Sequence, residues 1–137
     1  MYNIERVTSM IKDIKDYQRI LESFKIDSID NLKDDKTLHS SSMIIFAMLN
    51  RVIDLGQEIL IKEEYGMPDR YEEIFTKLEK AGMMNKKEST EFKELIKFRN
   101  IIAHTYYSVS KNDVFNAIQK AKLIDNFIEK IKKRVRI

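Results

Sequence analysis

The chain has 137 residues and a formal net charge of +3, with no cysteine, three glycines and one proline. This length suits one domain, which we predict to span residues 1–137 and to bury a core without covalent staples. Without cysteine the chain has no disulfide, no thiolate nucleophile and no cysteine metal ligand. The slight basic excess is compatible with phosphate binding but does not argue for it by itself.

The N-terminal segment "MYNIERVTSMIKDIKDY" carries a charge every few residues, which is not the pattern of a signal peptide. The longest unbroken apolar run, Met43 to Leu49, is far too short to cross a bilayer. We therefore expect a cytoplasmic protein that does not associate with membranes.

The first predicted element is an amphipathic helix that begins near Ile4 and ends near Lys25. Its apolar residues recur at steps of three and four, which gives one buried stripe. The following "IDSIDNLKDD" reads as a polar connection, rich in residues that cap helices.

The second predicted helix begins between Asp35 and Leu38 and ends near Tyr65. Residues 43–49 are apolar around the whole helix, which predicts a central helix buried on every side. We expect Gly66 to take a left-handed conformation at its end and Pro68 to prevent its continuation.

Three more helices are predicted after Pro68. "DRYEEIFTKLEKAG" predicts a helix capped by Asp69 and ended at Gly82, and "MMNKKESTEFKELIKFRNIIAH" predicts a fourth helix. Ser110 or Asn112 is expected to cap one long last helix, and no segment has the period of two that a strand requires. The predicted fold is an all-α antiparallel bundle of four to five helices.

The segment "KFRNIIAHTYY" holds one of the two histidines of the chain at the end of the fourth predicted helix. Asn100 and His104 are i and i+4 and share a helix face, whereas Arg99 and His104 are i and i+5, roughly 140° apart. Either the helix loosens near His104, or two copies of the chain bring their Arg99 and His104 side chains into one cleft.

Arginine and histidine together suit phosphodiester cleavage. Histidine titrates near neutral pH, so His104 can move a proton to or from a ribose 2′-hydroxyl or a leaving oxygen. Arg99 can stabilise charge that develops on phosphate oxygens, and Asn100 can orient the histidine or bind phosphate. RNA carries its own nucleophile, so the hypothesis needs no metal and no cofactor.

Other interpretations stay open from the residues alone. Asp54, which with Glu58 forms an i, i+4 carboxylate pair, is a candidate supporting residue for the Arg–His site. The site could bind a nucleotide or substrate for a partner nucleotidyltransferase without cutting it, or the histidine could be an ordinary residue at the end of a core helix. In the last case we expect a monomer with Arg99 salt-bridged inside its own chain.

"RNIIAHTYY" resembles the R-x4-H-x-Y motif of the HEPN superfamily and, more narrowly, of the HepT toxins of HepT/MntA toxin–antitoxin systems. Arg99, the polar Asn100, His104 and Tyr106 match the motif at every required position. The likeness extends over most of the chain, through the long apolar second helix, "GMPDRYEEIFTKLEKAGMM" and the long last helix.

The resemblance implies a HEPN-like homodimer in which both motifs line one cleft and act as a metal-independent endoribonuclease. It also implies a toxin of a type VII-like pair, neutralised by an MntA-like (MNT) nucleotidyltransferase antitoxin that transfers AMP onto the motif tyrosine. By position that tyrosine is Tyr106, and negative phosphates so close to His104 would repel an RNA backbone. The adjacent Tyr107 is expected to pack at the start of the loop.

Overall fold

A computed structural model of the chain describes residues 1–137, apart from the side chain of Tyr106. It is all-helical, with no strand in the described part, which confirms the predicted fold class. Two short 3-10 turns, Ile29–Leu32 and Tyr106–Ser108, connect its helices. The helices are α1 (Ile4–Ser23), α2 (Asp35–Lys62), α3 (Tyr71–Lys80), α4 (Lys86–Thr105), α5 (Lys111–Gln119) and α6 (Ala121–Val135).

Local capping interactions fix where several helices begin. The side chain of Asn3 accepts a hydrogen bond from the backbone N–H of Arg6 at the start of α1. Asp34 caps α2 in the same way, and Ser110, one of the two predicted candidates, caps α5. Each cap satisfies a backbone donor that has no partner inside its helix, so these boundaries follow from local sequence.

The aromatic part of the core joins three helices that are distant in sequence. The rings of Phe75 on α3 and Phe92 on α4 stack with their centroids 4.7 Å apart. Phe127 on α6 meets Phe92 edge-on at 5.3 Å, and all three side chains are fully buried. Such offset and edge-on contacts add to the free energy of burial, so this cluster fixes α3 and α6 against α4.

The end of α2 differs from the prediction. The helix stops at Lys62, and the left-handed residue at its terminus is Glu64, with φ of 57°. The N–H of Tyr65 returns to the carbonyl of Leu60 over 2.9 Å, the 6→1 bond of a Schellman motif. Gly66 is also left-handed but lies beyond the helix end, so it bends the loop rather than capping the helix.

The expectation that α2 is buried on every side is wrong for a single chain. Ile45, Met48 and Leu49 are buried, but Met43 exposes 49% of its surface. Some apolar side chains of α2 therefore lie on a face of the helix that no other described part of this chain covers. One face of α2 remains open to solvent or to another molecule.

Two further boundaries correct the prediction. Arg70, not Asp69, occupies the N-cap position of α3, and the carboxylate of Glu73 instead accepts the backbone N–H of Asp69. The predicted single last helix is interrupted at Lys120, where ψ is 10° and the N–H bonds to the carbonyl of Ala117 in a 3-10 manner. α5 and α6 are thus the two halves of the predicted fifth helix.

Leu32, inside the connection expected to be polar, is fully buried and packs in the core. In the part of the chain that the structure describes, no helix combines the length and apolar character needed to cross a bilayer.

Candidate active site: a cleft around Arg99

A cleft of about 540 Å³ opens between the C-terminal half of α4, the start of α3 and the loop that precedes it. Arg99, Asn100 and His104 all border this cleft, and Tyr71 and Glu72 face them from the first turn of α3. The remaining lining residues are Gln57, Pro68, Asp69 and Arg70.

Arg99 is half-buried, and groups from two other helices hold it. Its Nε donates a hydrogen bond to Oδ1 of Asn50 on α2 over 2.7 Å. The guanidinium carbon lies 5.0 Å from the ring centroid of Phe46 and 5.1 Å from that of Tyr71. These distances permit cation–π attraction, which orients the guanidinium without neutralising its charge.

Asn100 connects Arg99 to α3. Nη1 of Arg99 donates to Oδ1 of Asn100 over 3.0 Å, and Nδ2 of Asn100 donates to Oε1 of Glu72 over 3.0 Å. A guanidinium only donates and an ionised carboxylate only accepts, so the amide of Asn100 has a single consistent orientation. Glu72 thereby aims the oxygen of Asn100 at the arginine.

No carboxylate forms an ion pair with Arg99 among the described residues, whereas four other arginines have such partners. The hydrogen-bond acceptors of Arg99 are both neutral amides. Asp69 and Glu72 contribute negative charge elsewhere in the cleft, and Arg70 adds positive charge. The interpretation of this segment as an ordinary core helix expected a salt-bridged Arg99, which this arrangement contradicts.

His104 lies on the last turn of α4, and its side chain is exposed. α4 remains α-helical to Thr105, so the helix does not loosen before His104. Arg99 and His104 nevertheless both line one cleft of one chain. The i, i+5 spacing therefore does not by itself require a second copy of the chain, which corrects the geometric expectation.

The other predicted site residues have different positions. Asp54 is not among the residues that line the cleft; its carboxylate accepts a hydrogen bond from Nη1 of Arg51 over 3.1 Å. Arg51 also pairs with Asp13 on α1, so Asp54 belongs to a contact between α1 and α2. The side chain of Tyr106 lies outside the described residues. Tyr107 exposes 74% of its surface.

Four residues around Arg99 were not predicted from the sequence, namely Phe46, Asn50, Tyr71 and Glu72. One signal for Asn50 is present, because it is the polar residue that ends the apolar run of α2. Phe46 precedes it by four positions and therefore shares its helix face. Nothing in the local sequence indicates that this face meets Arg99.

The fold and cleft thus define a small helical protein with an arginine–histidine pair at the end of its fourth helix. The sequence matches the family model described as HepT-like, "Ribonuclease HepT-like", over residues 9–133. The chain belongs to this HepT-like family of the HEPN superfamily, as its motif predicted.

Solved structures with the same fold include components of toxin–antitoxin complexes. One is a tri-AMPylated Shewanella oneidensis HEPN toxin in complex with an MNT antitoxin (TM-score 0.85, 22% identity, 97% of this chain and 99% of that chain covered). Another is a toxin–antitoxin structure with AMP-PNP (TM-score 0.84, 20% identity, 93% and 97% covered).

A third similar structure is YutE, a cytosolic protein of unknown function from Bacillus subtilis (TM-score 0.83, 16% identity, 98% and 93% covered). At these identities the likeness establishes the fold. No curated protein sequence matches the chain significantly.

Proposed function

We propose that this protein is the toxin of a HepT/MntA-type pair and acts as a metal-independent endoribonuclease. The observation that carries the proposal is the environment of Arg99. Neutral groups hold its guanidinium, and no carboxylate among the described residues forms an ion pair with it. Arg99 also borders the same cleft as His104. A cation fixed in this way can stabilise the charge that develops on a phosphodiester in the transition state.

In the proposed reaction, His104 accepts the proton of a ribose 2′-hydroxyl as general base. The 2′-oxygen attacks the adjacent phosphorus and the bond from phosphorus to the 5′-oxygen breaks. The products are a 2′,3′-cyclic phosphate and a 5′-hydroxyl, whose proton comes from water or from a second His104 in another copy of the chain. Arg99 donates hydrogen bonds to the non-bridging oxygens and stabilises their charge.

The whole chain, residues 1–137, is proposed to act as one HEPN-like domain within a cytoplasmic homodimer. Exposed apolar side chains support an interface between copies, since Met43 on α2 and Ile101, within the motif on α4, expose 49% and 45% of their surfaces. Interfaces between subunits draw on such exposed apolar groups. Two motifs would then supply two arginines and two histidines to one cleft.

The proposed partner is an MntA-like nucleotidyltransferase that neutralises the toxin. In this step the phenol oxygen of Tyr106 attacks the α-phosphorus of ATP, AMP is transferred to the tyrosine, and pyrophosphate leaves together with the phenolic proton. The similarity to a tri-AMPylated HEPN toxin bound to an MNT antitoxin supports the proposal. The added phosphate would repel RNA from the neighbouring cleft.

The test is an RNA cleavage assay with the purified protein in the presence of EDTA. Wild type is expected to cut single-stranded RNA, and His104→Ala and Arg99→Ala are expected to lose cleavage while they remain folded. Arg19→Ala removes the same charge from an exposed pair on α1 and should cut normally, which makes it the matched control.

If both cleft variants cut as fast as wild type, the catalytic assignment is wrong. If wild type binds RNA or nucleotide without cutting, the protein is instead a binding subunit of the nucleotidyltransferase pair.

A further inference from the structure

Adjacent arginine and asparagine residues on α2 have very different surroundings. Arg51 contacts two carboxylates, Asp13 and Asp54, which neutralise it. Asn50, the preceding residue, accepts a hydrogen bond from Nε of Arg99 through its amide oxygen over 2.7 Å. In proteins, a carboxylate often occupies this position beside an arginine. An amide of nearly the same shape keeps the hydrogen bond but leaves the charge of the guanidinium unpaired.

We infer that Asn50 is a positioning residue that holds Arg99 while keeping its charge available for a phosphodiester oxygen of the RNA backbone. The identity of this ligand rests on the proposed function; the holding role rests on the contacts. Asn50 lies in a different helix from the motif and 49 residues before Arg99.

The other contacts of Arg99 fit the same purpose. Its second acceptor, Asn100, is also a neutral amide, and Phe46 and Tyr71 supply uncharged ring faces to the guanidinium carbon. Nε and Nη1 are thus occupied by the protein, and Nη2 makes no hydrogen bond among the described residues. Arg99 borders the cleft, so a ligand there can approach a cation whose orientation is already fixed.

Two substitutions of Asn50 separate this role from a merely structural one. Asn50→Asp keeps the size and the acceptor but adds a carboxylate beside Nε, so Arg99 stays held and becomes neutralised. Asn50→Ala removes the acceptor but leaves the charge. If the neutrality of the holder matters, the aspartate variant binds anions more weakly than the alanine variant. If only the hydrogen bond matters, the order reverses.

The experiment measures binding of a single-stranded 2′-O-methyl oligonucleotide, which lacks the attacking hydroxyl and cannot be cut, over a range of salt concentrations. We expect Asn50→Asp to bind about 10- to 100-fold more weakly than wild type, comparable to the loss of a charge-assisted hydrogen bond. The slope of log affinity against log salt should fall by about 0.7, the equivalent of one phosphate contact on a single strand. Asn50→Ala should lose less affinity than Asn50→Asp.

The matched control is Asn116→Asp, which makes the same change of charge on the exposed face of α5 and should bind like wild type. Thermal unfolding of each variant shows whether it is folded at the assay temperature. If Asn50→Asp unfolds, it is replaced by Asn100→Asp combined with Glu72→Gln, because the amide introduced at position 72 can donate to the new carboxylate where Glu72 would repel it. This pair of substitutions puts a carboxylate on the Nη1 side of Arg99 and should weaken binding in the same way.

Binding by Asn50→Asp that equals wild type, or that exceeds Asn50→Ala, would overturn the inference, and so would a wild type that does not bind the oligonucleotide at low salt. A wild type that binds the oligonucleotide but does not cut RNA would refute the proposed catalysis while the holding role of Asn50 stands.

Discussion

Gly56 on α2 and Ile74 on α3 approach each other so closely that a Cβ atom on Gly56 would lie 2.7 Å from Cγ2 of Ile74. Real Cβ atoms do not make contacts this short, so glycine is required here by the packing of two helices. Ile74 is fully buried in the first turns of α3, the helix that also carries Tyr71 and Glu72 into the cleft. The distance between α2 and α3 at Gly56 therefore helps to set the geometry around Arg99.

Gly56→Ala is expected to destabilise the protein although alanine favours helix. The steric cost of an added methyl group in a packed core is about 1–3 kcal/mol, and the helix propensity of alanine offsets about 1 kcal/mol of it. Chemical denaturation should show a net loss of up to about 2 kcal/mol. Ile74→Leu, which lacks the Cγ2 methyl group, should recover part of the loss in the double variant. A Gly56→Ala protein more stable than wild type would contradict the close approach.

Arg99→Lys tests whether the shape of the guanidinium matters as well as its charge. The guanidinium of Arg99 donates to Asn50 and Asn100 in two fixed directions and still has a donor for the cleft. Lysine keeps the positive charge but cannot reproduce this arrangement of donors. We expect cleavage to fall about 100-fold, similar to the loss of one oriented donor to a transition state. Binding of uncleavable RNA at low salt should change much less. Equal cleavage by wild type and Arg99→Lys would show that only the charge is needed.

Acid stability should depend on Glu63, at the end of α2. Its carboxylate accepts from Nε and Nη2 of Arg134 at 2.8 and 2.9 Å and from the hydroxyl of Tyr2 at 2.8 Å. These bonds, with that of Arg134 the largest cause, lower the pKa of Glu63 from 4.5 to about 2. A lowered folded-state pKa stabilises the protein above pH 4.5, and this contribution is lost as the pH falls from 4.5 towards 2.

Glu63→Gln should therefore cost about 1–2 kcal/mol at pH 7, a value reduced for the half-exposed Arg134. The difference from wild type should shrink steadily below pH 4.5, as measured by urea denaturation at several pH values. Glu22→Gln, on the exposed face of α1, is the control and should show no such dependence. A constant difference between wild type and Glu63→Gln down to pH 2 would argue against the ion pair.

The proposed modification makes a prediction about mass. Protein co-expressed with its nucleotidyltransferase partner should gain one or more AMP groups by intact-mass spectrometry, and Tyr106→Phe should gain none. Tyr107→Phe, the adjacent and strongly exposed tyrosine, should be modified like wild type. The modified wild type should also fail to cut RNA. AMP found on Tyr107 instead would move the modification site by one residue.

Much of the fold follows from local sequence. Apolar spacing places α1, α2 and α4, and the caps at Asn3, Asp34 and Ser110 are sequence-local hydrogen bonds. The prediction ended α2 near Tyr65 with Gly66 as its left-handed residue, whereas the helix ends at Lys62 with Glu64 left-handed, and the break at Lys120 was not predicted. There the chain turns at residues that carry no strong turn preference, namely Glu64 and Lys120, because packing between helices outweighs local propensity.

The sequence by itself determined the family motif and the members of the candidate site that share one helix, Arg99, Asn100 and His104, since residues a few positions apart on a helix have a known angular relation. Only the tertiary structure decided that Asp54 contacts Arg51, and that Asn50 and Glu72 reach the motif from α2 and α3. The partner of a side chain across a helix interface depends on how two helices pack, and that packing is a property of the whole core.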